Sequence, residues 1–345
     1  DALAARPRGA DAVLEAAAAD LRAGVKRAPG THYFLGALAA RLGKLDLAEH
    51  HLRPALASPH KETQGDAQFA LLDVLRRAHR PDKVERVCRD ALDALGGQGV
   101  QPWLHIYLAG ALAEQGKGEK ALEAADRGVL QAAAPDRLNA RLNKHYVLRT
   151  LGRWDEALEY GKKLLEEFDA PADRQRVRYA QAGAYWAANK PREAEALLRA
   201  MLDADPDDAG ACNDLGYHLA DQGRDLDEAE RLVRHALLID RLARRKAGSA
   251  ETDNAAYRDS LGWVFFRQGK LAEARAELEA AAALPDGGFD PVVWDHLGDV
   301  LFRSGEKAKA RAAWLKAQEL YESGGRASAA GRADEVKRKL ARVPR

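Results

Sequence analysis

Methionine occurs once in these 345 residues, at Met201, and the chain opens on Asp1, so the native start is expected upstream of it. Cysteine occurs twice, as Cys88 and Cys212. Two cysteines so far apart exclude a multi-bridge disulfide framework and any paired-cysteine zinc motif. No run approaches the roughly 18 apolar residues of a membrane span, and no secretory apolar core is visible. Charge of one sign is lacking as well: 54 basic residues face 53 acidic ones, leaving +1. That balance argues against a general nucleic-acid binder, which carries a basic face.

Catalytic signatures are equally scarce. There is no glycine loop that would cradle phosphate and no G-x-S-x-G. His50 and His51 are adjacent and face different ways on a helix. Asp205-Pro206-Asp207-Asp208 starts like a calcium loop but lacks the later ligands, and reads as a helix stop followed by an N-cap. Asp295, His296 and Asp299 could touch a cation, although a polar helix face explains them more simply. No catalytic residue, metal ligand or cofactor is expected.

What is present is a repeat. Leu35-Gly36, Leu215-Gly216, Leu261-Gly262 and Leu297-Gly298 each open a similar block. A small residue can be followed through the chain as Ala48, Val84, Ala121, Ala157, Ala194, Ala229, Ala274 and Ala310. The steps are 35 to 37 residues, except for 45 between Ala229 and Ala274. A second small residue follows at Ala55, Ala91, Gly128, Ala236, Ala281 and Ala317, with Leu164 and Met201 in the looser blocks. Self-similarity at this period marks a solenoid. Within one block, Tyr257 to Gln268 reads as a first helix and Leu271 to Ala283 as a second. Gly269 between them can take the positive φ that ends a helix. Asn189 suits the matching turn of the fifth block; His79 suits that of the second less well.

This pattern resembles the tetratricopeptide repeat (TPR) family, in its bacterial form, over about residues 29 to 320. The last three blocks are the closest match: Asn213-Asp214-Leu215-Gly216-Tyr217, Ser260-Leu261-Gly262-Trp263 and His296-Leu297-Gly298-Asp299, with Trp294 at the aromatic position that opens the motif. Leu72, His145 and Ala182 stand where the family prefers glycine. The resemblance implies an all-α, right-handed superhelical solenoid of about eight helix-turn-helix units. Residues 1–28 would then be a partial repeat or cap, 29–320 the solenoid, and 321–345 a capping helix with a basic tail. Residues 241–252 would be inserted, the helix ending at Asp240 continuing about two further turns. Both cysteines fall on packing positions more than three repeats apart, beyond disulfide reach.

The resemblance also implies that the first helix of each repeat lines a concave face. Positions off the packing stripe would point into it. In repeats four and five these are Tyr146, Arg149, Tyr179 and Trp186. In repeats six to eight they are Asn213, Tyr217, Asp259, Trp263, Phe266, Arg267, Asp299 and Arg303. Phe69, Arg76, Tyr107 and Asn143 hold matching places earlier. Aromatics mixed with Arg, Asn and Asp are the composition of a recognition groove; for each aromatic the alternative is packing between repeats. Trp186, Tyr217 and Trp263 are favoured, because Tyr185, Leu219 and Phe265 fill the packing positions nearby. Asn143 and Asn213 suit a carboxylate clamp, but the matching lysines are missing. The expected function is a non-catalytic scaffold that binds a protein or peptide partner, without nucleic acid. The alternative is a regulatory or targeting segment of a larger bacterial enzyme or cell-envelope assembly protein. The compartment, cytoplasmic or envelope-associated, would follow from what precedes Asp1.

Overall fold

The structure is a computed structural model that describes residues 7–22, 24–96, 101–248, 253–284, 286–323 and 330–343. Among these, all regular structure is helical: α1 (Pro7–Arg22), α2 (Pro29–Arg41), α3 (Leu45–Ala55), α4 (Lys61–Arg77), α5 (Pro81–Leu95), α6 (Pro102–Glu114), α7 (Gly118–Gln131), α8 (Arg137–Thr150), α9 (Trp154–Glu167), α10 (Pro171–Ala187), α11 (Pro191–Ala204), α12 (Ala209–Asp221), α13 (Leu226–Lys246), α14 (Ala255–Gln268), α15 (Leu271–Ala283), α16 (Pro291–Arg303), α17 (Lys307–Ser323) and α18 (Ala330–Ala341). From α2 to α17 consecutive helices pair as hairpins, and the hairpins stack into a solenoid.

The close crossing of each pair explains the repeat. Every small residue that sets the period, Ala48 through Ala310 with Val84 among them, is buried. A methyl group added at Gly36 would stand 2.6 Å from Leu52, one at Gly216 2.6 Å from Val233, one at Gly262 2.6 Å from Leu278, and one at Gly298 2.3 Å from the Trp314 ring. Other repeats hold other buried pairs at the same register. Leu72 is matched by Cys88, Ala109 by Ala125, and His145 by Gly161, all buried.

Each hairpin turn uses a left-handed residue, and the turn between α12 and α13 uses two, Gly223 and Asp225. Gly269 takes φ +79° and lets the Lys270 N–H bond the Phe265 carbonyl at 2.9 Å. His79 and Asn189 take the same region, at +53° and +55°. His79 thus adopts a left-handed conformation that few residues other than glycine take.

Helix α13 runs six residues past Asp240, to Lys246. Its extension is tied down. Asp253 accepts from Arg241 and, at 2.6 Å, from Arg258, which also reaches Glu277 at 2.5 Å. Residues 249–252 of the expected insertion lie outside the described residues, as do Pro285 and Arg345.

Buried apolar side chains form two long clusters, one around α2 to α7 and one around α11 to α18, with smaller clusters around α8 to α10 between them. At that junction the crossing is polar. Gly161 leaves room for Gln181, whose Nε2 donates to the Leu158 carbonyl at 3.0 Å. Burial pushes the neighbouring His145 imidazole down to about 4.

Two outcomes are expected. Gly298→Ala forces a methyl into the Trp314 ring and should lower stability by about 1–3 kcal/mol in urea titration, with partial recovery in Gly298→Ala/Trp314→Leu. For His145 the folded pKa lies below the unfolded value near 6.5, so the unfolded chain takes up the proton first. Its contribution is complete above about pH 6.5 and falls away as pH drops toward 4. His145→Gln should therefore flatten the loss of stability between pH 7 and pH 5, by roughly 1–2 kcal/mol.

Candidate functional site

The first helices α4, α6 and α8 turn one side inward around a cavity of about 1400 Å³. Phe69, Trp103 and Tyr107 meet edge to face, with centroids 5.8, 6.0 and 6.4 Å apart and planes within a few degrees of perpendicular. Phe69 remains 51% exposed. Burial, helped by Asp73, pushes the Tyr107 phenol up. Arg76 pairs with that carboxylate at 2.8 Å. Deeper along the groove, the Tyr146 hydroxyl donates to Glu114 at 2.7 Å, and the Arg149 guanidinium stands 5.6 Å from the Tyr146 ring centre. Gly183 makes room for Arg149: a methyl there would lie 2.8 Å from its Nη1. Asn143 anchors to the Ile106 carbonyl at 3.1 Å, and its own Oδ1 is buried without a partner.

The far wall of this cavity comes from another part of the chain. Asp286 and Phe289, between α15 and α16, line it together with the residues above. Arg77 Nη2 donates to Asp286 at 2.6 Å, across 209 residues of sequence.

The second half of the concave side is built differently. Trp186 stacks on His218 with centroids 3.6 Å apart, and Tyr217 meets His218 edge-on. His296 stacks on Trp263 at 4.1 Å, and Trp263 on Phe266 at 5.0 Å. Arg267 lies over Trp263 and Arg303 over Phe266. Polar atoms bind between repeats as well: Trp263 Nε1 and the Arg267 guanidinium reach Asp221, Arg303 reaches the Phe266 carbonyl, and the Tyr179 hydroxyl accepts from the Ala211 N–H at 3.0 Å. Asn213 donates to Asp214 at 3.2 Å, where burial pushes the carboxyl up to about 6. Asp259 contacts the His296 Nδ1 at 2.9 Å. Burial opposes charge on His296, but Asp259, Asp295 and Asp299 outweigh it and move its pKa upward. Burial moves His218 the other way, to about 4.

Helix α18 packs over this ladder. Ala333, Val336 and Val343 join the second apolar cluster. Lys339 sits between Asp295 and Asp299, at 2.7 and 2.9 Å, and Asp299 also accepts from Trp314 Nε1 at 3.1 Å. The Arg332 charge lies beside the Tyr217 and Tyr321 hydroxyls.

The residues picked from the sequence therefore fall into two groups. Tyr146 and Arg149 line the cavity. Tyr179, Trp186, Tyr217, Asp259, Trp263, Phe266, Arg267, Asp299 and Arg303 engage neighbouring repeats or α18, while Asn213 is buried and donates to the adjacent Asp214, its own Oδ1 unpartnered. The sequence missed Trp103, although an aromatic near the start of a first helix was a usable signal. It also missed Arg77, Asp286 and Phe289, which meet across the superhelix and carry no periodic mark. Among the described residues no cluster of three or more His, Cys, Asp or Glu side chains could hold a metal ion, and no helix is long and apolar enough to cross a membrane.

Comparison with known proteins agrees with this architecture. A family model described as tetratricopeptide repeat matches residues 179–250 and 260–325; a second with the same description matches 29–54 and 102–127, and together they span over half of the chain. A TPR repeat-containing protein of Pseudomonas aeruginosa is 30% identical over 215 residues, which cover 62% of this chain and 28% of that protein. The chain thus spans little more than a quarter of the curated relative it matches. Among solved structures, a tetratricopeptide repeat protein from Parabacteroides merdae is 17% identical at TM-score 0.40, covering 91% of this chain and 97% of that one. The APC/C hetero-tetramer Cut9-Hcn1 is 17% identical at TM-score 0.49, covering 85% and 59%. The chain belongs to the tetratricopeptide repeat family, whose repeats are a scaffold for protein interaction.

Lys339→Ala would leave Asp295 and Asp299 facing each other without their cation. It should cost roughly 3 kcal/mol, and amide hydrogen exchange should quicken in α18 and α16 while α2 to α7 keep their protection.

Proposed function

We propose that this chain is a non-catalytic scaffold that holds a segment of a protein partner in its concave groove, and that the open part of the groove is the first half. The observation that carries this reading is the cavity walled by Phe69, Trp103, Tyr107, Tyr146 and Arg149. Aromatic rings that remain partly exposed beside arginine supply the anchors from which recognition surfaces draw most of their energy. In the second half the corresponding side chains stack on one another or meet α18, so they shape the groove and have less surface to offer. An extended peptide or a single helix is the ligand geometry that such a groove admits.

A second reading makes the solenoid the interaction segment of a longer chain, regulatory or targeting in role. The relative from Pseudomonas aeruginosa favours it, because the match occupies 28% of that protein.

The test is partner capture by wild type and two folded variants, read by mass spectrometry. A partner held by wild type and by Trp263→Ala/Arg303→Ala, but reduced at least tenfold by Phe69→Ala/Tyr146→Ala at unchanged melting temperature, is the expected result. Loss with Trp263→Ala/Arg303→Ala alone would move the site to the second half. Retention by both would count against the groove.

A further inference from the structure

We propose that the loop between α15 and α16 is a resident occupant of the first-half groove, and that the groove's external ligand is a peptide of the same chemistry, an acidic residue followed closely by an aromatic one. This deepens the groove reading above and rests on it.

The loop is built to reach. Residues Gly287–Phe289 form a 3-10 turn. The Asp290 side chain caps α16 by accepting from the Val292 N–H at 2.8 Å, and Trp294 Nε1 clamps the Gly288 carbonyl at 3.1 Å. Gly287 is pressed so closely on α15 that an added methyl would lie 2.0 Å from the Ala281 carbonyl oxygen. A turn held at both ends presents its side chains at low entropic cost.

What it presents matches what it meets. The Asp286 carboxylate takes two donors from Arg77, Nε at 3.1 Å and Nη2 at 2.6 Å, while Nη1 of the same guanidinium is fixed to the Ala40 carbonyl at 3.1 Å. Arg77 is thus pre-oriented toward a carboxylate. The Phe289 ring packs against the apolar cluster of α2 to α7, although it arrives from the seventh repeat. Of the four arginines in the cavity wall, Arg76 pairs with Asp73 and Arg80 with Asp46 and Glu49, so the loop's carboxylate meets Arg77. The loop brings Asp286 to Arg77, and one aromatic ring to the wall that holds Phe69, Trp103 and Tyr107. Tethering gives the loop an effective concentration in the millimolar range, so a free peptide of equal intrinsic affinity is held off until it is longer, better matched or abundant.

The experiment uses the full chain and a fluorescein-labelled peptide of residues 283–293. Asp286→Ala/Phe289→Ala, which leaves Gly287 and the Asp290 cap in place, removes the resident side chains. This variant should bind the peptide at least tenfold more tightly than wild type by fluorescence anisotropy. Adding Arg77→Gln should abolish the gain, and a peptide with its phenylalanine changed to alanine should bind at least tenfold more weakly. Phe289→Ala alone, the milder change, should show an intermediate gain. Equal binding by wild type and variant, or binding indifferent to Arg77→Gln, would overturn the proposal. A groove that captures a protein partner through Phe69 and Tyr146 yet ignores the loop peptide would sink this inference and leave the groove reading standing.

Discussion

Everything in this molecule depends on how closely the two helices of a repeat approach. That distance is set by one shared volume at each crossing. Gly36 admits Leu52, Gly262 admits Leu278 and Gly298 admits the indole of Trp314. Elsewhere the same register holds other buried residues, and Gly161 makes its room for Gln181 of the next repeat. A fixed approach fixes the rotation of each helix about its axis, and so decides which residues face the groove. The groove is therefore a by-product of packing on the opposite side of the same helices. Changing a crossing residue would re-aim side chains that it never touches.

The periodic part of this structure was legible in the sequence, and the reason is physical. Each repeat meets mainly its neighbours, so contacts recur at one spacing and leave a recurring residue type. Ala274, Gly269 and the helix Leu271–Ala283 could be placed from the pattern alone, and the structure puts that helix between the same residues. The resemblance in the last three repeats extended to the family itself. His79 was harder, since the turn's demand overrides the residue's own preference. The candidate site was legible only in part. Tyr146 and Arg149 line the cavity, but the stacking of Trp186 on His218 and of Trp263 on His296 depends on the offset between adjacent first helices. The meeting of Arg77 with Asp286 depends on the curvature of the whole solenoid, which no single repeat encodes.

The two halves of the concave side also differ in their electrostatics. The first half gathers arginines around exposed rings. In the second, His218 and His296 lie on one aromatic ladder yet are driven in opposite directions, one by burial and one by three carboxylates. Lys339 returns a positive charge to the last of these acidic positions. Neutral stacking and a compensated acidic cluster both suit a surface that serves to hold repeats and α18 together.

The ion pair between Arg77 and Asp286 has a mechanical meaning. A superhelix is a spring, and its end-to-end length changes by small rotations summed over many crossings. A link between turns 209 residues apart shortens the freely extensible part of that spring. Releasing that link would soften the coil and lengthen its reach.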